Sequence, residues 1–167
     1  MPAPTGPTFR VQHFEIEGNT VFGAQVLSTQ LADLTGKSLG MAELQSAADR
    51  LTLYYRQRGY HAVALLPEQS LQDGVLRIVI VEARLGQLQV EKAPGSTPVP
   101  LTLANAILAR GQQADQLLQL GQLDQANLIL SDVPGIKSET ALRQGAGPGQ
   151  TDVYAVVSAL PVWAGNL

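Results

Sequence analysis

Leu44, Ala47, Ala48, Leu51 and Tyr55 fall at i, i+3, i+4, i+7 and i+11, the spacing of one face of an α-helix. The residues after Tyr55 decide where that face must go. Arg56 and Arg58 complement the C-terminus of such a helix, and Gly59 is the residue type that ends one. His61 to Leu66 then reads as a strand, Pro67 to Gly74 as turn chemistry, and Val75 to Glu82 as a second strand. In that second strand Leu76, Ile78 and Ile80 share one face and Arg77 lies on the other. An apolar helix stripe followed by a hairpin with one apolar face is a packing unit. One face of its sheet is covered, and the other, which carries Arg77, is open to water.

The same order recurs along the chain. Phe9, Val11, Phe14 and Ile16 alternate with one slip after Val11, as in a strand with a bulge, and Gly18-Asn19 closes it. Leu27, Leu31 and Leu34 keep helical spacing between Gly23 and Thr35, with Gly36 as the stop. The first half therefore reads strand, helix, helix, strand, strand. In the second half Leu85, Leu88 and Val90 lie in a strand, and Ala93 to Pro100 is a loop. Leu103, Ile107 and Leu108 suit a short helix ending at Gly111, and Leu123, Ala126, Asn127 and Leu130 mark a face of another. Asp132-Val133-Pro134-Gly135 stops that helix. Ile136 to Arg143 and Asp152 to Leu160 are then strands around a turn at Gly145 to Gln150, with Val153, Ala155 and Val157 alternating. The repeat rests on pattern, since few residues are identical between the halves.

Composition narrows the function. With 167 residues, 45% hydrophobic and 15% charged, the chain can bury one core or two small ones. A net charge of -3 gives no pull toward nucleic acid or an anionic membrane surface. The lack of cysteine excludes disulfides, thiolate metal sites and a cysteine nucleophile. His13 and His61 are the only histidines and lack ligand spacing, so no metal site is expected. No G-x-S-x-G string supports a nucleophile triad. Gly145 to Gly149 lacks the Lys-Ser/Thr of a phosphate loop and reads as a hairpin turn. No enzyme activity, cofactor or nucleotide is expected. No apolar run approaches the ~18 residues of a membrane helix, and MPAPTGPT has neither the basic start nor the apolar stretch of a secretory signal. The expectation is a soluble piece of a larger protein.

Glu17-Gly18-Asn19-Thr20, Tyr55 to Tyr60 (YRQRGY), Leu66-Pro67-Glu68-Gln69, and Asp73-Gly74-Val75 through Val81-Glu82 occur in that order. Together they resemble the polypeptide-transport-associated (POTRA) domain of two-partner-secretion outer-membrane transporters, the exporters of haemolysin and haemagglutinin type. Asp132-Val133-Pro134-Gly135, Gly145 to Thr151 and Asp152-Val153 resemble the second such domain of the same transporters. The resemblance covers Phe9 to Leu160. It implies an α+β fold of two tandem POTRA domains, each β-α-α-β-β with two helices on one face of a three-stranded mixed sheet. The expected division is a linker at 1–7, a first domain at 8–83, a second at 84–161, and at 162–167 the start of a linker to a β-barrel. The plug helix that usually precedes the first domain has no counterpart in this sequence.

The resemblance further implies a periplasmic portion of a bacterial outer-membrane protein. Its partners would be a secreted adhesin- or haemolysin-like exoprotein, met through its unfolded N-terminal secretion domain, and the transporter's own C-terminal β-barrel. No nucleic acid and no nucleotide take part. In such domains the second strand lies at the sheet edge beside the second helix, where an extended client can pair with it. The residues this singles out are Ala62, Val63, Ala64 and Leu65 with Leu51, Tyr55 and Arg58, and in the second module Ile136, Ser138 and Thr140. Leu51 and Leu65 have a competing role in the core. Arg50, Arg56 and Arg58 read either as a strip that steers an acidic client or as a solvated helix face. Tyr54 and Tyr60 read as amphipathic contacts, with at least one in the core. An alternative function is a structural scaffold for folded partners, as in barrel-assembly or cell-division complexes.

Overall fold

The structure is a computed structural model, and it describes residues 6–69, 73–96, 98–110 and 112–159. The chain divides into two compact units between Glu82 and Ala83. Residues 1–5 of the linker expected at 1–7, the helix stop at Gly111, the strand end at Leu160 and the segment 162–167 lie outside the described residues.

The first unit runs β1 (Thr8–Arg10), β2 (His13–Glu17), α1 (Ala24–Thr29), a 3-10 turn (Ala32–Leu34), β3 (Ser38–Gly40), α2 (Met41–Gln57), β4 (Ala62–Leu65) and β5 (Val75–Glu82). Its main sheet has the order β2-β5-β4, with β2 parallel and β4 antiparallel to the central β5. β1 and β3 form a separate two-stranded sheet. The stripe Leu44, Ala47, Ala48, Leu51 and Tyr55 of α2 is buried as its spacing requires. It meets Phe14, Ile16, Ala62, Ala64, Leu76, Ile78 and Ile80 of the sheet, with Leu27 and Leu31 from the first helical segment. The Glu43 carboxylate accepts the Gly40 N–H at 2.8 Å and so satisfies one of the unpaired donors at the start of α2.

The second unit repeats the topology. It runs β6 (Arg84–Lys92), α3 (Leu101–Leu108), α4 (Leu120–Ser131), β7 (Ile136–Gln144) and β8 (Gln150–Ala159). The sheet order is β6-β8-β7, with β6 parallel and β7 antiparallel to β8. Val153, Ala155 and Val157 of β8 are buried against Ala104 and Leu108 of α3 and Leu123, Ala126 and Leu130 of α4. The glycines that end the second helix of each unit, Gly59 and Gly135, have φ of +84° and +80°, a region that side chains disfavour.

Three local expectations are corrected. The slip after Val11 is not a bulge but a change of sheet: β1 pairs with β3, β2 pairs with β5, and Val11 lies buried between them. Its N–H donates to the Lys37 carbonyl and its own carbonyl accepts the Gly36 N–H, so its backbone belongs to neither strand ladder of the main sheet. The helix expected from Gly23 to Thr35 is six residues of α-helix followed by the tighter 3-10 turn. Leu103, expected on the buried face of α3, is exposed. The stripe that meets the sheet runs through Ala104 and Leu108, one residue and about 100° further round the helix.

Candidate functional site

Each three-stranded sheet has two edge strands, β2 and β4 in the first unit and β6 and β7 in the second, and β4 and β7 are the ones that lie beside the second helix of their unit. An antiparallel strand directs the N–H and C=O of alternate residues toward its partner and those of the intervening residues outward. The outward groups of β4 and β7 form the free edges.

On β4 the side chains of Ala62 and Ala64 are buried under the helices, while Val63 and Leu65 are 43% and 49% exposed on the open face of the sheet. The Ala64 N–H does not pair with β5. It donates to Thr52 Oγ1 of α2 at 2.9 Å, which identifies Ala62 and Ala64 as the residues whose backbone points outward. One outward donor of this four-residue edge is thus already occupied.

Of the helix residues expected to line this edge, Leu51 and Tyr55 are fully buried and belong to the core. The helix face over the centre of the sheet is theirs, and the residue that borders β4 is Thr52. Arg58 is not brought to β4 either. Its guanidinium lies 3.5 Å from the Tyr54 ring centroid and 5.8 Å from that of Phe22, within an edge-to-face cluster of Phe22, Tyr54, Tyr55 and Tyr60. Arg50 pairs with Asp33 at 2.6 Å, and the pair holds the Asp33 carboxyl below its usual range. The three arginines therefore do not act as one free strip. His61, next to β4, has its pKa lowered by burial and by the nearby Arg56, so it stays neutral at neutral pH.

On β7 the Ile136 N–H donates to the Val133 carbonyl, and the N–H of its partner Ala159 donates to Ser96 Oγ. That pair exchanges no ladder bonds, so by alternation Ser138, Thr140 and Leu142 direct their backbone groups outward. Ile136 is 7% exposed and packs in the core, so its side chain is not a contact surface. Ser138 and Thr140 are half-buried beside α4. There Asn127 Nδ2 donates to Thr140 Oγ1 at 2.9 Å, and Ser138 Oγ donates to Asn127 Oδ1 at 3.0 Å.

The strings that carry the family resemblance are scaffold. The Glu82 carboxylate at the end of β5 accepts the N–H groups of Thr20 and Val21 at 2.7 and 2.9 Å, the Thr20 hydroxyl, and the Tyr55 hydroxyl at 2.7 Å. Burial alone would raise the Glu82 pKa, but these donors outweigh it and lower the value. Burial and the facing carboxylate raise that of Tyr55. A side chain at Gly18 would run into the Ile80 carbonyl oxygen, so the approach to this turn requires glycine. Gln69 replaces a strand: its amide donates to the Arg77 carbonyl at 2.8 Å and accepts the Arg77 N–H at 2.7 Å, past the point where β4 ends and Pro67 can donate nothing. Spacing alone marks none of Thr52, Glu82 and Gln69, because each partner is remote in the chain. Asn127 is legible as a helix-face residue, though not as a bridge to β7. No cluster of potential metal ligands occurs among the described residues.

Two α+β units of one topology, each with a helix-flanked free strand, define a tandem module of β-α-α-β-β type. Residues 9–83 match the family model "POTRA domain, ShlB-type". The outer membrane transporter CdiB of Escherichia coli (strain 536 / UPEC) is 28% identical over 163 residues, 95% of this chain and 26% of the relative. The heme/hemopexin transporter protein HuxB of Haemophilus influenzae is 23% identical over 140 residues, 80% of this chain and 24% of the relative. The solved structure of CdiB from Escherichia coli superposes with a TM-score of 0.74 at 24% identity, over 98% of this chain and 30% of that one. POTRA1-3 of the periplasmic domain of Omp85 from Anabaena gives 0.69 at 16% identity, over 93% of this chain and 68% of that one. Residues 9–83 thus carry the sequence pattern of a ShlB-type POTRA domain, and the chain has the fold of the solved structures on which it superposes. It spans about a quarter of the length of the curated relatives it matches.

Proposed function

We propose that the chain is the receptor portion of an outer-membrane protein exporter. It binds the unfolded N-terminal secretion domain of a partner exoprotein by strand addition and passes it to the pore of the transporter's β-barrel. The observation that carries this reading is the free, helix-flanked strand at the edge of each sheet. Support also comes from the names of the relatives, one an outer membrane transporter and the other a heme/hemopexin transporter.

Energetics favour a receptor that lets go. Each backbone hydrogen bond to an added strand contributes ~1 kcal/mol net, whereas ordering each client residue costs ~1–2 kcal/mol. Backbone pairing alone does not hold an unfolded chain. Side chains seated against the helix must supply the remainder, so binding is weak to moderate and reversible without nucleotide.

The test is binding of a fluorescently labelled, unfolded N-terminal secretion-domain fragment of a partner exoprotein to the 167-residue chain. Saturable binding by the unfolded fragment, lost on edge-blocking substitutions that keep the fold, supports the reading. Binding only to a folded partner overturns it in favour of the scaffold. One feature favours that second reading: the open face of the first sheet, where the exposed pair Val63–Val81, with exposed Leu65 opposite half-buried Val79, adjoins Arg77 with Glu15 and Glu17.

A further inference from the structure

We infer that the two free edges are not equivalent: β7 is the receiving edge and β4 is closed by Thr52. This rests on the strand-addition reading and assigns it to one strand.

Counting from the glycine that ends each second helix, Ala62 and Ala64 correspond to Ser138 and Thr140. At these matched positions the two units make opposite use of the helix. In the first, the strand has only alanine side chains, and the helix hydroxyl of Thr52 takes the backbone N–H of Ala64. In the second, Asn127 is engaged by the hydroxyls of Ser138 and Thr140. The backbone groups of β7 therefore stay outside that network, and among the described residues none plays the part of Thr52 there. Length acts in the same direction. β4 has four residues, β7 has nine, and β7 is paired with β8 along all nine. An extended segment laid on β7 meets a row of outward donors and acceptors at every second residue from Ser138 to Leu142. On β4 it meets an edge half as long with a donor already taken.

The chemistry of the occupant is set by the row it faces. Only another extended polypeptide presents N–H and C=O groups at the two-residue repeat of a strand edge. Its helix-side residues lie against hydroxyl and carboxamide groups at Ser138, Thr140 and Asn127, then against Leu142, which is 38% exposed. Small hydrogen-bonding side chains at two successive alternate positions followed by an apolar one fit this row. The opposite face of β7 carries the Lys137–Glu139 ion pair at 2.7 Å and Arg143 stacked 4.4 Å from the Tyr154 ring centroid, which suits a polar, solvated side of the client.

Residue-resolved amide exchange of the 167-residue chain, with and without the same unfolded N-terminal secretion-domain fragment, tests this. In the free chain the Ala64 amide is expected to exchange more slowly than those of Ser138, Thr140 and Leu142. On adding the fragment, the three β7 amides should slow by about tenfold or more while β4 is unchanged. Slowing confined to Ala62–Leu65 overturns the assignment to β7 and leaves strand addition standing. Slowing confined to β2 or β6, the other edge strands, likewise overturns the assignment to β7; binding of the fragment with no slowing at any edge strand overturns strand addition itself, and no binding overturns the receptor reading. Slowing at β7 that grows with chain concentration in the absence of fragment identifies a second copy as the occupant and overturns the client assignment.

Discussion

The two units have one topology and one arrangement of helices, yet the edge strand beside the second helix is treated differently in each. In the first unit the edge is four residues long, its inward side chains are buried alanines, and a helix hydroxyl takes an outward N–H. In the second it is nine residues long, its inward side chains are half-buried hydroxyls, and the helix amide is bound by those hydroxyls. An exposed edge is an aggregation hazard, and proteins blunt the edges they do not use. The contrast teaches that repetition of a fold need not repeat its site. Whether an edge is open depends on one helix residue and on whether the strand side chains or the strand backbone engage it.

The largest expected difference between the units lies in what secures the end of the central strand. In the first, Glu82 gathers Thr20, Val21 and the buried Tyr55. In the second, β8 ends at Ala159, whose N–H donates to the Ser96 hydroxyl, and among the described residues no carboxylate gathers donors there as Glu82 does. Glu82→Ala strands the Tyr55 hydroxyl and two backbone donors, and is expected to destabilise the first unit by ~3 kcal/mol while leaving the second unchanged. Amide exchange read separately in each unit checks this. The folded pKa of Glu82 lies below its ordinary value of 4.5. Its contribution is therefore fully present above that value and is lost as pH falls through the folded value. Acid unfolding should start in the first unit, and Glu82→Gln should flatten its pH dependence below 4.5. Equal acid sensitivity of both units would remove Glu82 from this role.

A pair of prolines tests the edges themselves. Ala64→Pro deletes the N–H that Thr52 receives and enlarges a buried side chain, with an expected cost of ~2 kcal/mol. Leu142→Pro deletes an outward N–H that no ladder bond uses, with an expected cost below ~1 kcal/mol, as edge prolines permit. Denaturant melts of the two variants measure the gap. Similar costs would mean that the β7 amides are as engaged as that of Ala64. The same asymmetry makes Ala64→Pro a poor probe of client binding, because its loss would mix blocked pairing with a weakened fold.

What could be read from sequence divides along a physical line. The α2 stripe, the alternation of β5 and that of β8 are local periodicities, and every residue they mark for the core is buried. The split of β1 from β2 is not legible, because Val11 is held by Gly36 and Lys37, partners that a period-two pattern does not contain. Leu51 and Leu65 show the same limit. Both read as apolar candidates for core or client, and only the packing sends Leu51 inward and leaves Leu65 half exposed. A strand edge is built from backbone groups that every residue carries. Its openness depends on Thr52 and Asn127, each bonded to residues 11 to 13 positions away across a glycine turn.

Thr52→Val keeps the shape of the side chain and removes the hydroxyl. It is expected to cost ~1 kcal/mol and to bring the exchange of the Ala64 amide to the rates of the β7 edge. An unchanged Ala64 rate would show that burial, rather than Thr52, protects that N–H.

The smallest effect is expected at Gln69, and its size is set by where the bond lies. Gln69 supplies both an acceptor and a donor to Arg77, so its side chain extends the β4 edge by one residue pair after the strand itself has ended. Both bonds are exposed, and water can replace them, so Gln69→Ala should cost only ~0.5–1 kcal/mol in a denaturant melt. Gln69→Glu keeps the acceptor for the Arg77 N–H and loses the donor to its carbonyl. It also adds a carboxylate beside the site where Arg77 already pairs with Glu15 and Glu17 at 3.2 and 3.3 Å. Attraction to the Arg77 guanidinium and repulsion from the two glutamates oppose each other across solvent, so the charged variant should fall within a few tenths of a kcal/mol of Gln69→Ala. A loss well beyond that in either variant would show that the Gln69 contact holds the end of β4 in place, and with it the length of the edge that distinguishes the first unit from the second.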